Sequence, residues 1–142
     1  LIAPKEYIRS LQKLQQNLFI CAPSIAQQAG IAALKEAEQD VEKMKAIYNE
    51  RRVYMISRLK EMGFKIDVEP KGAFYIFPSI KSTKMTSLAF AEALLRAEKV
   101  ALVPGDAFGT CGEGFVRCSY ATSSANLSEA LLRMERFLNT IL

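Results

Sequence analysis

The sequence predicts an α/β (α+β) domain in which a small mixed sheet is covered by helices, with one long helix in the N-terminal half as its spine. Three observations predict this. Apolar residues recur at helical spacing from Leu34 almost to Gly63. The second half alternates short β-branched and aromatic runs with helical stretches, the pattern of a sheet packed against helices. Four of the seven glycines crowd between Gly105 and Gly114, just before a run with strand alternation.

Taken in order, 4–15 reads as a short helix, with Pro4 near its first turn and Tyr7, Ile8, Leu11 and Leu14 on one side. Leu18–Ala22 is a brief extended apolar stretch. Ser24-Ile25-Ala26-Gln27 has capping-box character, so a helix is expected to begin there. The stripe Leu34, Ala37, Val41, Met44, Tyr48, Met55, Leu59 and Met62 fits one long helix, or two with a break near Asp40. Asp40–Lys43 and Glu42–Lys45 are favourable pairs on its wet face. Gly63 supplies a left-handed stop, with Phe64 folding back on the last turn.

Residues 64–68 are expected to form a strand, followed by a turn at Pro70-Lys71-Gly72 and a buried strand at 73–77 that Pro78 ends. After a polar loop at 82–86, Leu88, Ala91, Leu94 and Leu95 mark a helix, and 100–103 a short strand. Phe115–Tyr120 is a half-buried strand, with Val116, Cys118 and Tyr120 on one face and Phe115, Arg117 and Ser119 on the other. Asn126–Glu129 resembles a helix cap. Leu127, Ala130, Leu131, Met134, Phe137, Leu138 and Ile141 then stripe a last helix.

Composition removes several classes of function. The chain has 142 residues, half of them hydrophobic, and a net charge of +4. Between Lys35 and Glu61, seven basic and six acidic residues interleave, so no single-sign stripe forms a nucleic-acid face. No apolar run approaches the roughly 20 residues of a membrane span. There is no histidine, which removes the usual general base and the Ser-His and Cys-His pairs. Cys21, Cys111 and Cys118 lack Cys-x-x-Cys spacing, so neither a disulfide framework nor a zinc site is expected, and reduced thiols in a cytoplasmic protein are.

The glycine-rich stretch P-G-D-A-F-G-T-C-G-E-G reads as a shaped loop at the mouth of a site. It matches a phosphate cradle poorly, since G-x-x-x-x-G-K-[ST] and G-x-G-x-x-G are absent and a strand follows rather than a helix. Arg117, on the strand beside it, needs an anion. Either a structural carboxylate such as Glu113 or Asp106 pairs with it, or it waits for a ligand carboxylate held by a two-pronged hydrogen bond. Phe74, Tyr75 and Phe77 read first as core, Ser24 as a helix cap, and Lys71 as a solvated turn residue with an anion contact as the alternative. No lysine sits in a clearly apolar setting suited to Schiff-base chemistry.

Read together, P-G-D-A-F-G at 104–109, G-E-G-F-V-R-C-S-Y-A at 112–121, G-A-F-Y-I-F-P at 72–78 and A-P-S-I-A-Q-Q-A-G at 22–30 resemble the carboxy-terminal part of class I pyridoxal-phosphate-dependent aminotransferases of fold type I, aspartate/aromatic aminotransferase-like. The helix containing Glu50-Arg51-Arg52 agrees, and the resemblance covers essentially the whole chain in order. It implies that 1–30 is the tail of the family's large domain and 31–142 its small domain. By the same resemblance Arg117 grips the substrate α-carboxylate, Phe74 lies near the substrate side chain, and 22–27 approaches a neighbouring subunit's site. The cofactor implied is pyridoxal 5'-phosphate, the substrates an amino acid and a 2-oxo acid, and the complete enzyme a homodimer.

Leu1-Ile2-Ala3-Pro4 resembles the segment just after the family's cofactor lysine and phosphate-binding arginine, so the chain is expected to lack the Schiff-base lysine and to be inactive alone. An amino-acid-sensing or assembly module without catalysis, or a pyridoxal-phosphate lyase of the same fold, is the alternative. An unrelated α/β binding module, with Arg117 merely paired to an acid, is a third reading.

Overall fold

The computed structural model describes residues 2–142, so the Leu1 end of the Leu1–Pro4 segment lies outside the described residues. The chain divides into two compact units at the Lys43–Met44 junction.

The first unit is helical. Helix α1 spans Lys5–Leu18 and begins as Tyr7 N–H bonds the Pro4 carbonyl at 3.0 Å. It runs further than expected and consumes the start of the anticipated extended stretch. Beyond it, Phe19 and Ile20 both donate to the Gln15 carbonyl, and Ile20 turns left-handed at φ 65°. Helix α2 spans Ser24–Glu36. Ser24 is its first helical residue rather than its cap, which is Pro23, and the Gln27 amide donates to the Ala22 carbonyl at 2.8 Å.

The long stripe is two helices, the second of the two alternatives, with the break at Ala37, three residues before Asp40; α3 spans Glu38–Glu61. No glycine or proline marks the break, but charge does. Lys35 lies in the last turn of α2, with Glu38 and Asp40 in the first turn of α3, each matched to the helix end it faces.

The second unit holds the core. Met55, Ile56 and Leu59 of α3 enter it, and α3 ends as expected: Gly63 is left-handed at φ 85°, and Phe64 N–H bonds the Leu59 carbonyl at 3.0 Å. The Phe64 ring then meets Phe90 edge to face. Helix α4, Ser87–Glu98, buries Ser87, Phe90, Ala91 and Leu94. Leu88 and Leu95, expected inside, are 51% and 47% exposed, because the buried stripe is rotated by one position. Helix α5, Ser124–Ile141, buries Leu127, Leu131, Met134, Phe137 and Leu138. Its cap is Ser123, whose hydroxyl accepts from Asn126 N–H at 3.1 Å, so the helix starts before the anticipated Asn126 box.

The sheet is small and in the order β1-β3-β2: β1 is Tyr75–Ile76, β2 Val103–Pro104 and β3 Val116–Ser119. The architecture is α+β as expected, but the anticipated mixture of strand directions is not found: both pairings are antiparallel. The strands are also shorter than expected, for local reasons. Ala73 is left-handed at φ 57° and Pro78 has no N–H, which trims β1 from both sides. The expected 64–68 strand contributes only a bridge from Lys65 to Ser79 and leaves Val68 81% exposed.

Ile76, Val116, Cys118 and Tyr120 line the inner face of the sheet and join Leu59, Ile80, Phe90, Leu94 and Leu131 in one apolar cluster. Burial pushes the Cys118 thiol up to about 12. Cys21 and Cys111 are exposed. Titration with a thiol reagent at pH 8 is therefore expected to modify two thiols promptly and the third only after denaturant is added, since the thiolate is the reacting form.

Candidate functional site

Strand β3 carries the predicted alternation. Val116, Cys118 and Tyr120 point into the core, while Arg117 is half-buried on the other face and Ser119 exposed. Register places Val103 opposite Arg117 and Tyr75 opposite Ser119, so Tyr75 shares the arginine's face.

The Arg117 guanidinium carbon lies 4.3 Å from the centre of the Tyr75 ring and 4.6 Å from that of Phe108. The cation therefore sits over two aromatic rings. No ion pair or hydrogen bond engages its N–H groups among the described residues, and the buried nitrogen left without a partner is Arg51 Nε, not one of Arg117.

The two candidate internal partners are committed elsewhere or open to solvent. Glu113 accepts from Ser87 N–H at 2.9 Å, placing its carboxylate on the amino end of α4, where the helix dipole favours it. Asp106 is exposed in the turn before Phe108. The structural pairing of Arg117 with a nearby acid does not occur among the described residues.

The glycine-rich loop explains how Phe108 reaches the arginine. It consists of two 3-10 turns, Gly105–Phe108 and Thr110–Gly112. A Cβ on Gly105 would sit 2.1 Å from the Gly112 carbonyl oxygen, and one on Gly112 would sit 2.0 Å from that of Gly105. Glycine is required at this pair for backbone-to-backbone approach, not for positive φ. The loop is tied to α4 by Ser87, fully buried, whose hydroxyl accepts from Gly114 N–H at 2.8 Å.

Phe74 lies against Tyr75, ring centres 4.5 Å apart, and against Tyr48 at 5.9 Å. The two residues singled out from sequence, Arg117 and Phe74, thus meet the same ring. Tyr75, read first as core with Phe74 and Phe77, is half-buried like Phe74, while Phe77 is exposed; nothing in the sequence points to Phe108. The signal for Tyr75 was its alternation within the strand, unusable without the cross-strand register. Lys71 is exposed and lines a cleft of about 400 Å³ with Lys45, Tyr48, Asn49, Arg52 and Tyr120. No group of His, Cys, Asp and Glu placed to hold a metal ion occurs among the described residues, and no described helix is long and apolar enough to cross a membrane.

Residues 1–134 match the family described as Aminotransferase class I and II. The chain belongs to this family. It is 51% identical to the YugH protein of Bacillus subtilis, covering 96% of this chain and 35% of that protein. It is 48% identical to an aspartate aminotransferase of Pyrococcus horikoshii, covering 96% of this chain and 36% of the relative. The crystal structure of an aromatic aminotransferase from Pyrococcus horikoshii OT3 superposes with a TM-score of 0.92 at 45% identity, over 97% of this chain and 37% of that one. The chain therefore spans about a third of the length of the relatives it matches.

The family is pyridoxal-phosphate dependent. A lysine that anchors this cofactor works as a free amine, which desolvation favours. Every lysine of this chain is exposed, so none of them fits that role.

Proposed function

We propose that this chain is the substrate-gripping, carboxy-terminal part of a pyridoxal-phosphate-dependent aminotransferase that moves an amino group between an amino acid and a 2-oxo acid. Arg117 holds the α-carboxylate of either substrate, and Phe74 borders the side chain. The observation that carries this reading is the Arg117 guanidinium, half-buried over two rings and without an acidic partner among the described residues.

A planar guanidinium whose faces are covered offers its in-plane N–H groups to a carboxylate in a two-pronged hydrogen bond. Fixing the carboxylate at both oxygens fixes the direction of the bond to Cα, and so leaves the amino group only rotation about that bond. Family membership supports the amino-acid and 2-oxo-acid pair as substrates. The cofactor's lysine is proposed to belong to the rest of a longer protein, and coverage of only 35–37% of the relatives above is consistent with that. Residues 1–30 then belong to the large domain and 31–142 to the small one, in a cytoplasmic homodimer.

The test is binding of the amino-acid substrate to the full-length protein and to its Arg117→Ala variant, with the amine that lacks only the carboxylate as control. Loss of discrimination between the two ligands in the variant is expected. Retained discrimination would remove the role assigned to Arg117.

A further inference from the structure

The guanidinium of Arg117 has two kinds of surface, and the fold treats them separately. Its central carbon lies over the Tyr75 and Phe108 rings, 4.3 and 4.6 Å from their centres, which is where a guanidinium stacks through its planar faces. Its in-plane N–H groups meet no acceptor among the described residues. Since a carboxylate binds in the plane, rings on the faces leave the binding edge clear while restricting how the group can tilt.

The two rings are held in different ways. Tyr75 belongs to β1 and is fixed by its pairing with Ser119. Phe108 ends the first 3-10 turn of the glycine loop and remains 52% exposed, too open for a core residue. What holds it is a relay of side chains. Its ring meets Phe77 edge to face at 5.9 Å, Phe77 stacks on Phe115 at 5.9 Å, and the Lys81 ammonium lies 5.0 Å above Phe115. Beneath it, the Gly105–Gly112 approach closes the loop. The loop thus holds a large, exposed ring in place, and the charged group that ring meets is Arg117.

We propose that Phe108 is a positioning residue for Arg117: by covering one face of the guanidinium it sets the direction of the N–H fork and tightens the hold on a substrate α-carboxylate. This rests on the reading of Arg117 given above. Phe108 acts through the arginine and needs no contact with substrate. Tyr75 is the ring fixed by the strand pairing and Phe108 the ring set by the loop.

The experiment compares variants of the full-length protein with the amino-acid substrate and with the amine that lacks only the carboxylate. Phe108→Leu keeps apolar bulk but removes the aromatic face. It is expected to raise KM for the amino acid about tenfold, with kcat little changed, and to leave the amine unaffected. Phe108→Tyr restores the face and is expected to restore KM. In an Arg117→Ala background, Phe108→Leu is expected to add nothing.

The proposal is overturned if Phe108→Leu weakens acid and amine alike, or if its effect persists undiminished without the arginine. It is also overturned, alone, if Arg117→Ala abolishes carboxylate selectivity while Phe108→Leu leaves it intact. If Arg117→Ala itself leaves that selectivity intact, both readings fall together.

Discussion

Replacing Arg117 with alanine in the full-length protein is expected to lower kcat/KM for the amino-acid substrate by a factor of about 100 or more, about 2.7 kcal/mol. The size follows from the geometry of the group removed. A charge-assisted, two-pronged bond to a carboxylate is lost from a half-buried setting, and no neighbouring cation stacks in the same place. Arg117→Lys is expected to recover only part of the loss, because an ammonium has no planar face to rest on Tyr75 and Phe108 and no fork to offer. Folding should be unaffected, since the buried side chains of β3 are Val116 and Cys118. Steady-state kinetics with near-native circular dichroism would check both statements. A change of less than about threefold in kcat/KM, well below the value of a charged hydrogen bond, would sink the assignment.

The second large effect concerns stability. Gly105→Ala and Gly112→Ala are each expected to destabilise the chain by at least about 2 kcal/mol, on the order of 5 °C in melting temperature. A methyl on Gly105 would stand 2.1 Å from the Gly112 carbonyl oxygen and 2.6 Å from that of Phe115. Both are backbone atoms, so no rotamer change relieves the overlap and the loop itself must move. Gly72→Ala is the control, with nothing within 4 Å and no left-handed φ, and should be close to neutral. Gly109→Ala falls between, with open space but φ at 113°. Thermal melts of the four variants test this ranking, and a Gly105→Ala melt matching that of Gly72→Ala would refute the close approach. Because the loop carries Phe108, the two destabilising variants should also loosen the grip on the carboxylate.

How much of this was legible in the sequence depended on the range over which each feature is determined. The stop at Gly63, the apolar stripe of α5 and the phase of β3 are set by a few neighbouring residues and could be read directly. Signals of comparable strength competed at the helix starts. Ser24 and Asn126 both looked like caps, but Pro23 and Ser123 took those places. Strand lengths depended on Ala73 adopting a left-handed backbone, which its side chain does not announce. The surroundings of Arg117 were the least readable. Its rings come from β1, through the cross-strand register, and from a loop closed by Gly105 against Gly112, and neither placement shows in the local sequence. The partner of Glu113 is equally hidden in the sequence, because the first N–H of α4 that claims it comes from 26 residues away.

That choice by Glu113 has an electrical consequence. Lodged on the amino end of α4, its negative charge is balanced by a helix end and not by the guanidinium close to it in sequence. The charge of Arg117 therefore stays uncancelled by an ion pair among the described residues and can draw in an approaching anion. Attraction of this kind acts at a distance, before any hydrogen bond forms, and fades as dissolved ions shorten the Debye length. The capping of one helix thus also governs how readily a carboxylate is captured from solution.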